Sequence, residues 1–309
     1  MPAATVSRRD PSHPLTPEEA SEAASLAERA AAADGSQPLS EQFRLSLTAG
    51  EHEGVEHLLA YAADDRLVGY AQVRAGAGEE PPSAELVVDP SARRAGVGSA
   101  LLAALPASAR VWSHGVGPAG ATAEAFAVAN GLAATRSLHV MGRSLQDGPA
   151  WPRPSLADRY AVRSFEPGRD EQAWLDLNAA AFAHHPEQGS LRRTDLDQRI
   201  AQPWWDPAGL VLVVEADRPD EVVASHWTKV DPPIAAGGSV GEVYVVAVSP
   251  DHQGEGLGRA VTVLGLDHLK ALGLADVVLY VDEDNVAAVR TYEGLGFTDH
   301  EVHRQFARA

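Results

Sequence analysis

Seven residues, Gln253-Gly254-Glu255-Gly256-Leu257-Gly258-Arg259, could hold an anion. The run before them reads as a strand and the run after Gly256 as a helix, so backbone N–H groups converge where the helix dipole is positive. Glycines let the backbone approach a pyrophosphate closely, and Arg259 adds charge where phosphate would lie. A Walker loop is excluded because its Lys is missing. A dinucleotide fingerprint needs G-x-G-x-x-G on the first strand of a βαβ unit, whereas this spacing ends G-x-G-R-A-V halfway through its half of the chain. A plain turn at a helix start remains the competing reading. His184-His185-Pro186-Glu187 looks metal-like, but adjacent His side chains diverge and no third ligand stands at a familiar spacing. We expect no metal there, and a polar loop facing a substrate groove instead.

The glycine loop occurs twice. The segment from Val88 reads V-D-P-S-A-R-R-A-G-V-G-S and that from Val248 reads V-S-P-D-H-Q-G-E-G-L-G-R, so Pro90 and Pro250, Gly96 and Gly256, and Gly98 and Gly258 all share an offset of 160. Gly131-Leu132 matches Gly294-Leu295 at an offset of 163. A duplicated loop is poorly explained as a chance turn, and the pattern is that of a domain repeat. Gln146 to Ser155 is rich in Gly and Pro and reads as the linker.

Each loop needs strands and helices to position it. In the second copy Gly209 to Ala216 and Glu221 to Val230 read as a hairpin, and Glu242 to Val248 as a strand. Leu257, Val261, Leu264 and Leu269 mark a helix from Gly256 to Leu272, stopped by Gly273. A strand Asp276 to Val281, a helix Asn285 to Tyr292 and a strand Phe297 to Phe306 follow, and Trp174, Leu177, Ala181 and Phe182 mark an earlier helix. The first copy opens on Thr16-Pro17-Glu18-Glu19, a capping box with Pro at the first helical position, and its helix ends near Asp34-Gly35. The expectation is an α/β protein with two tandem domains, 1–145 and 155–309, each a mixed sheet flanked by helices.

Composition bounds the partners. The 309 residues exceed one ordinary core, and 45% apolar with 22% charged residues is the balance of a folded globular chain. A net charge of -18 disfavours nucleic acid and anionic membranes, which require clustered Lys and Arg. The absence of Cys excludes disulfides, thiolate nucleophiles and Cys-bound zinc. Arg8 and Arg9 are followed by no apolar targeting segment, and no apolar run approaches 18 residues, so a cytoplasmic protein is expected; separately, we expect a monomer with a small-molecule substrate.

Both loops fit the Q/R-x-x-G-x-G/A signature of the GCN5-related N-acetyltransferases, as Gln253-x-x-Gly256-x-Gly258 and Arg93-x-x-Gly96-x-Gly98. The second copy also has Asn285, Ala288, Tyr292, Gly296 and Phe297 at the spacings of that family's N-x-x-A-x-x-x-Y-x-x-x-G-F motif. The chain thus resembles this family, and the resemblance implies acetyl-CoA as co-substrate. It also implies a V-shaped parting of strands Glu242 to Val248 and Asp276 to Val281, with pantetheine pairing to Val246, Ala247 and Val248. The coenzyme would then be held by Gln253, Gly254, Glu255, Gly256, Leu257, Gly258 and Arg259, and by Asn285, Val286, Ala287, Ala288, Val289 and Arg290. The matching residues of the first copy are Leu86, Val87, Val88, Arg94, Ala95, Gly96, Val97, Gly98 and Ser99.

Acetyl transfer to an amine needs a neutral amine, a polarised carbonyl and a proton for the departing thiolate. Glu242 alternates with Tyr244, Val246 and Val248, which puts a carboxylate on one strand face as a general base, direct or through water; an ion-paired carboxylate at a strand end is the plainer alternative. Tyr292 is the candidate proton donor, a phenol near 10 facing a thiol near 8.5, or else a core aromatic. In the first copy Glu242 falls on Pro82 at offset 160, and Tyr292 and Asn285 on Ala129 and Thr122 at offset 163, so that copy is expected to hold coenzyme or support the fold without catalysing. The run His185 to Gly189, Trp227-Thr228-Lys229 and Gly241 to Val246 resemble the tandem members of the family that acetylate a cysteinyl-glucosaminyl-inositol. That resemblance implies substrate contacts at Glu187, Lys229, Glu242, Tyr280 and Glu41, although Lys229 and Glu187 could equally be solvated charges. Another amine as acceptor, or a non-catalytic acetyl-CoA sensor, are the competing functions.

Overall fold

The computed structural model describes residues 4–10, 12–48, 54–76, 80–115, 117–147, 150–183, 188–231 and 238–308. In chain order the main elements are β1 (Thr5–Arg9), α1 (Pro17–Asp34), α2 (Glu41–Thr48), β2 (Val55–Tyr61), β3 (Leu67–Arg74), β4 (Ser83–Val88), α3 (Val97–Ala104), β5 (Arg110–Ser113), α4 (Gly117–Ala129) and β6 (Leu132–Ser144). There follow β7 (Tyr160–Ser164), α5 (Glu171–Ala181), α6 (Arg193–Ile200), β8 (Leu210–Glu215), β9 (Arg218–Asp231), β10 (Val240–Val248), α7 (Leu257–Ala271), β11 (Asp276–Asp282), α8 (Val286–Glu293) and β12 (Thr298–Arg308). The expected order of elements is present, with α1 carrying the capping box from Thr16 to Glu19 and closing on Gly35 at φ 73°.

Two compact units result, but they are not consecutive in sequence. One comprises residues 1–138 with 301–309, the other residues 139–300. Both divisions fall inside long strands, β6 and β12, rather than in the Pro- and Gly-rich segment expected to link the copies. Leu145 explains part of this: it is 1% exposed, donates its N–H to Ala275 O at 2.7 Å and packs with Val277, Leu279 and Phe297, so the chain is already inside the second core before the linker region begins.

Within the first unit β1 to β5 lie side by side in order, with β12 next to β5. Its core gathers Leu58, Val68, Val97, Leu101 and Val111, together with Phe306 from β12. Within the second unit the order is β6, β11, β10, β9, β8, β7. Trp174, Leu212, Trp227 and Val245 pack on the α5 face, and Val243, Val263, Leu266 and Leu279 on the α7 face. Gly265 of α7 sits over His226 of β9, and a Cβ there would meet the imidazole at 2.0 Å, so helix and sheet approach closely only because this residue is Gly. Among the described residues no helix is long and apolar enough to cross a membrane.

Candidate functional site

β10 positions the site. It pairs in parallel with β11 only at Gly241, Glu242 and Val243, opposite Val277, Val278 and Leu279, while its antiparallel pairing with β9 continues to Val248. Beyond Val243 the two parallel strands part, leaving the β11 side of Val245 to Val248 for another partner. This is the parting that the family resemblance implies. The pairing with β9 also shifts register between Val243 and Val245, a β-bulge. The simple alternation of Glu242 with Tyr244, Val246 and Val248 therefore fails. The inserted residue moves Val245 and Ala247 to the α5 face and leaves Val246 and Val248 on the α7 side.

The loop after β10 has the geometry that the glycines suggest. Gly254 and Gly256 take φ of 82° and 79°, the left-handed region, and no atom lies within 4 Å of where their Cβ atoms would stand. α7 begins on Gly256 without a side-chain cap, unlike α1 and α8, which Thr16 and Asn285 cap. An uncapped helix start at the mouth of a strand gap suits the pyrophosphate of a coenzyme. The first unit repeats it, with β4 pairing to β5 only from Ser83 to Glu85 and Gly96 starting α3 uncapped at φ 84°. There Arg94 takes the place of Gly254, at φ 62°. In the second unit Glu255 is drawn into bonds from Tyr160 and Arg159, which hold its carboxyl below the usual carboxylate range and offset its charge beside an anion site. Arg259 reaches Gly294 O at 3.2 Å, which ties α7 to the end of α8.

Glu242 and Lys229 sit opposite each other on β10 and β9, with Oε2 and Nζ 3.3 Å apart and side chains 8% and 5% exposed. Tyr280, 46% exposed, lies on β11 two residues beyond Val278, the partner of Glu242, and so shares that face. Tyr292 approaches the other face of β10, packing with Val243 and Val246 and edge-on to Phe297 at 5.8 Å. Burial pushes its phenol up to about 12. At that value full transfer to a thiolate near 8.5 is uphill by several units, so the hydroxyl is suited to donating a hydrogen bond as the thiolate forms rather than to easy exchange. Asn285 accepts the N–H of Ala288 at 3.2 Å, which makes it the N-cap of α8. Glu41 opens α2 of the first unit, and Glu187 and the His184–His185 pair lie outside the described residues. Among the described residues no group of three or more His, Asp or Glu could hold a metal ion.

Strand pairing revises the correspondence between the copies. Val248 with Ala224 matches Val88 with Gly69, but past the bulge Glu242 with Lys229 matches Ser83 with Arg74, so Glu242 corresponds to Ser83 rather than Pro82. Downstream, Gly131 and Gly296 are the residues that share a left-handed φ, 75° and 85°, each followed by a buried apolar residue. The offset there is 165, and Tyr292 and Asn285 correspond to Ala127 and Gly120 instead of Ala129 and Thr122. Neither the carboxylate nor the phenol recurs at the matching positions of the first unit.

Spacing gave no sign of the aromatic surroundings of Lys229. Its Nζ stands 5.5 Å from the Trp204 ring centroid and 5.4 Å from that of Tyr244. Arg199 of α6 donates from Nε to the Tyr244 hydroxyl at 2.7 Å. The Trp204-Trp205 pair was the available signal, and the bulge at Tyr244 was not legible.

Known proteins resemble the chain in sequence and in shape. The acetyltransferase (GNAT) family matches residues 172–297, and an acetyltransferase (GNAT) domain matches residues 54–134. A mycothiol acetyltransferase of Streptomyces coelicolor is 49% identical over 292 residues, covering 93% of this chain and 91% of that protein. One of Streptomyces avermitilis is 50% identical with the same coverage. Among solved structures, a tandem GNAT protein from the clavulanic acid biosynthesis pathway superposes with a TM-score of 0.70 at 17% identity, covering 98% of both chains, and so shares the fold.

Proposed function

The chain belongs to the mycothiol acetyltransferase family of GNAT enzymes, and from that premise we propose that its second unit acetylates the cysteinyl amine of cysteinyl-glucosaminyl-inositol to give mycothiol. It is an acetyl-CoA-dependent N-acetyltransferase with a small-molecule substrate. The observation that carries the proposal is the arrangement around β10: a strand gap ending at an uncapped, glycine-rich helix start, with Glu242 and Lys229 on one face and Tyr292 on the other.

In the reaction the amine nitrogen attacks the thioester carbonyl carbon and the C–S bond breaks. Glu242 accepts the amine proton, directly or through water, and the Tyr292 hydroxyl supports the departing thiolate with its proton. The parted backbone from Val246 to Val248 holds pantetheine, and the N–H groups from Gln253 to Arg259 hold the pyrophosphate. An α-amine near 8 needs about one unit of deprotonation at neutral pH, against more than three for a lysine near 10.4, so a shared carboxylate suffices. Lys229 and Tyr280, with Glu187 and Glu41, bind the polyhydroxyl acceptor. The first unit holds acetyl-CoA through Leu86 to Val88 and Arg94 to Ser99 without turning it over, and the enzyme works as a cytoplasmic monomer.

The test is mass-spectrometric detection of acetylated product from cysteinyl-glucosaminyl-inositol and acetyl-CoA, for the wild type, Glu242→Gln and Tyr292→Phe. Acetylation of the amine by the wild type, with a loss of about 100-fold in each variant, supports acceptor and roles together. An unreacted acceptor with intact acetyl-CoA binding sends the search to other amines. Turnover unchanged in both variants removes the two assigned roles.

A further inference from the structure

Lys229 is a buried ammonium beside the Glu242 carboxylate, in a place where its water is lost. Aromatic rings also face it. Trp204 and Tyr244 bring their rings to 5.5 and 5.4 Å from Nζ, within cation–π range, and stand 5.4 Å from each other at 65°. Trp227 backs both, at 5.9 and 5.3 Å. The Tyr244 ring is held at its hydroxyl. Tyr244 stands at the bulge between Val243 and Val245, on the face of Glu242, and Arg199, 6% exposed on α6, grips its hydroxyl at 2.7 Å. Trp204 follows the end of α6 in a turn that Gln202 O closes on Trp205 N at 3.0 Å.

We propose that Trp204 and Tyr244 are positioning residues for acceptor binding: their rings confine the Lys229 ammonium beside Glu242, fixing where it can donate to a hydroxyl of the acceptor. This rests on the reading of Lys229 as an acceptor contact. The confinement explains how a flexible four-carbon stem can serve a specific contact. An ammonium packed against two rings and a carboxylate samples fewer directions of donation than a solvated lysine. It also gives the paired tryptophans of the α6 turn a purpose beyond filling the core. Trp205 packs edge-on to Phe165 and Trp227, whereas Trp204 faces the charge.

The experiment is a double-mutant cycle on the full chain with Trp204→Leu, Lys229→Met and their combination, with Trp204→Phe as the conservative variant. KM for the acceptor, KM for acetyl-CoA, kcat and thermal unfolding are measured for each. Expected are an acceptor KM raised about tenfold in Trp204→Leu with acetyl-CoA KM unchanged, near-recovery in Trp204→Phe, and no further rise when Trp204→Leu is added to Lys229→Met. Additive effects of Trp204→Leu and Lys229→Met on acceptor KM would overturn the proposal. So would equal changes in both KM values, since a loosened core moves both substrates. A wild type inactive on the acceptor in the proposed assay is a failure of the function itself; the cycle is then read on whichever amine the wild type does acetylate.

Discussion

With Lys229 and Glu242 at 3.3 Å and almost wholly buried, removing one charge takes a counter-charge from the other where water cannot replace it. Stability and catalysis at this pair are therefore separable by mutation. Glu242→Gln is expected to lower kcat about 100-fold and also to cost about 3 kcal/mol of folding stability, because the ammonium loses its counter-charge. Adding Lys229→Met removes the buried ammonium and restores much of that stability without restoring turnover. Thermal unfolding beside kcat for the two variants checks this. A double variant that regains activity would mean that Glu242 matters only as a partner for Lys229, the plainer alternative that the sequence left open.

At the scale of elements, the two glycine loops share a backbone and differ in their chemical surroundings. Gly256→Ala forces a Cβ into the left-handed region at φ 79°, at a cost of about 1 kcal/mol, and disturbs the N–H groups that start α7. It is expected to raise acetyl-CoA KM severalfold. Gly96→Ala, at φ 84°, carries the same local cost in the first unit and is expected to leave turnover as it was. Steady-state kinetics on both variants decide it, and equal damage to turnover would show that the first loop also serves catalysis. These loops were legible because glycine at a left-handed position and an uncapped helix start leave marks in the sequence, as does the Asn285 cap seven residues before Tyr292. The bulge was not, because one inserted residue in the run Val243 to Val248 changes neither composition nor β-branched character. A one-residue slip then reassigned every face beyond it and moved the counterpart of Glu242 from Pro82 to Ser83. Trp204 was missed for a related reason: a loop has no periodicity, so nothing in the spacing tied it to Lys229.

At the scale of the molecule, each unit carries a deeply buried imidazole. Burial depresses His226 to about 4 in the second unit, and burial beside His114 depresses His303 to about 3 in the first. Both lie below the ordinary value of 6.5, so the unfolded chain takes up these protons first. Stability from this source is complete above pH 6.5 and is lost as pH falls toward 4 and 3. For His226 the full loss is two and a half units at about 1.4 kcal/mol each, or about 3 to 4 kcal/mol. The midpoint of thermal unfolding should fall between pH 7 and 5, and His226→Gln should flatten that fall; an unchanged slope would place the proton uptake elsewhere.

The division of the chain makes a stricter demand on any attempt to isolate the catalytic unit. A fragment cut at the Pro- and Gly-rich segment, residues 155–309, lacks Met141 and Leu145, both 1% exposed in the second core, and leaves β11 without β6 beside it. It also carries residues 301–309, whose Phe306 is 3% exposed within the first core and pairs there with Val111. Such a fragment begins with a hole on one side and an orphaned strand bearing Phe306 on the other, a combination that favours aggregation. Residues 139–300 keep the second core whole, together with Glu242, Lys229, Tyr292 and the loop from Gln253 to Arg259. Expressed side by side, the 139–300 fragment should be the more soluble, unfold cooperatively at the higher temperature and retain acetyl-CoA binding by calorimetry. If 155–309 instead proved the more stable, the copies would fold as consecutive domains and the strand residues 139–145 would be dispensable to the second core.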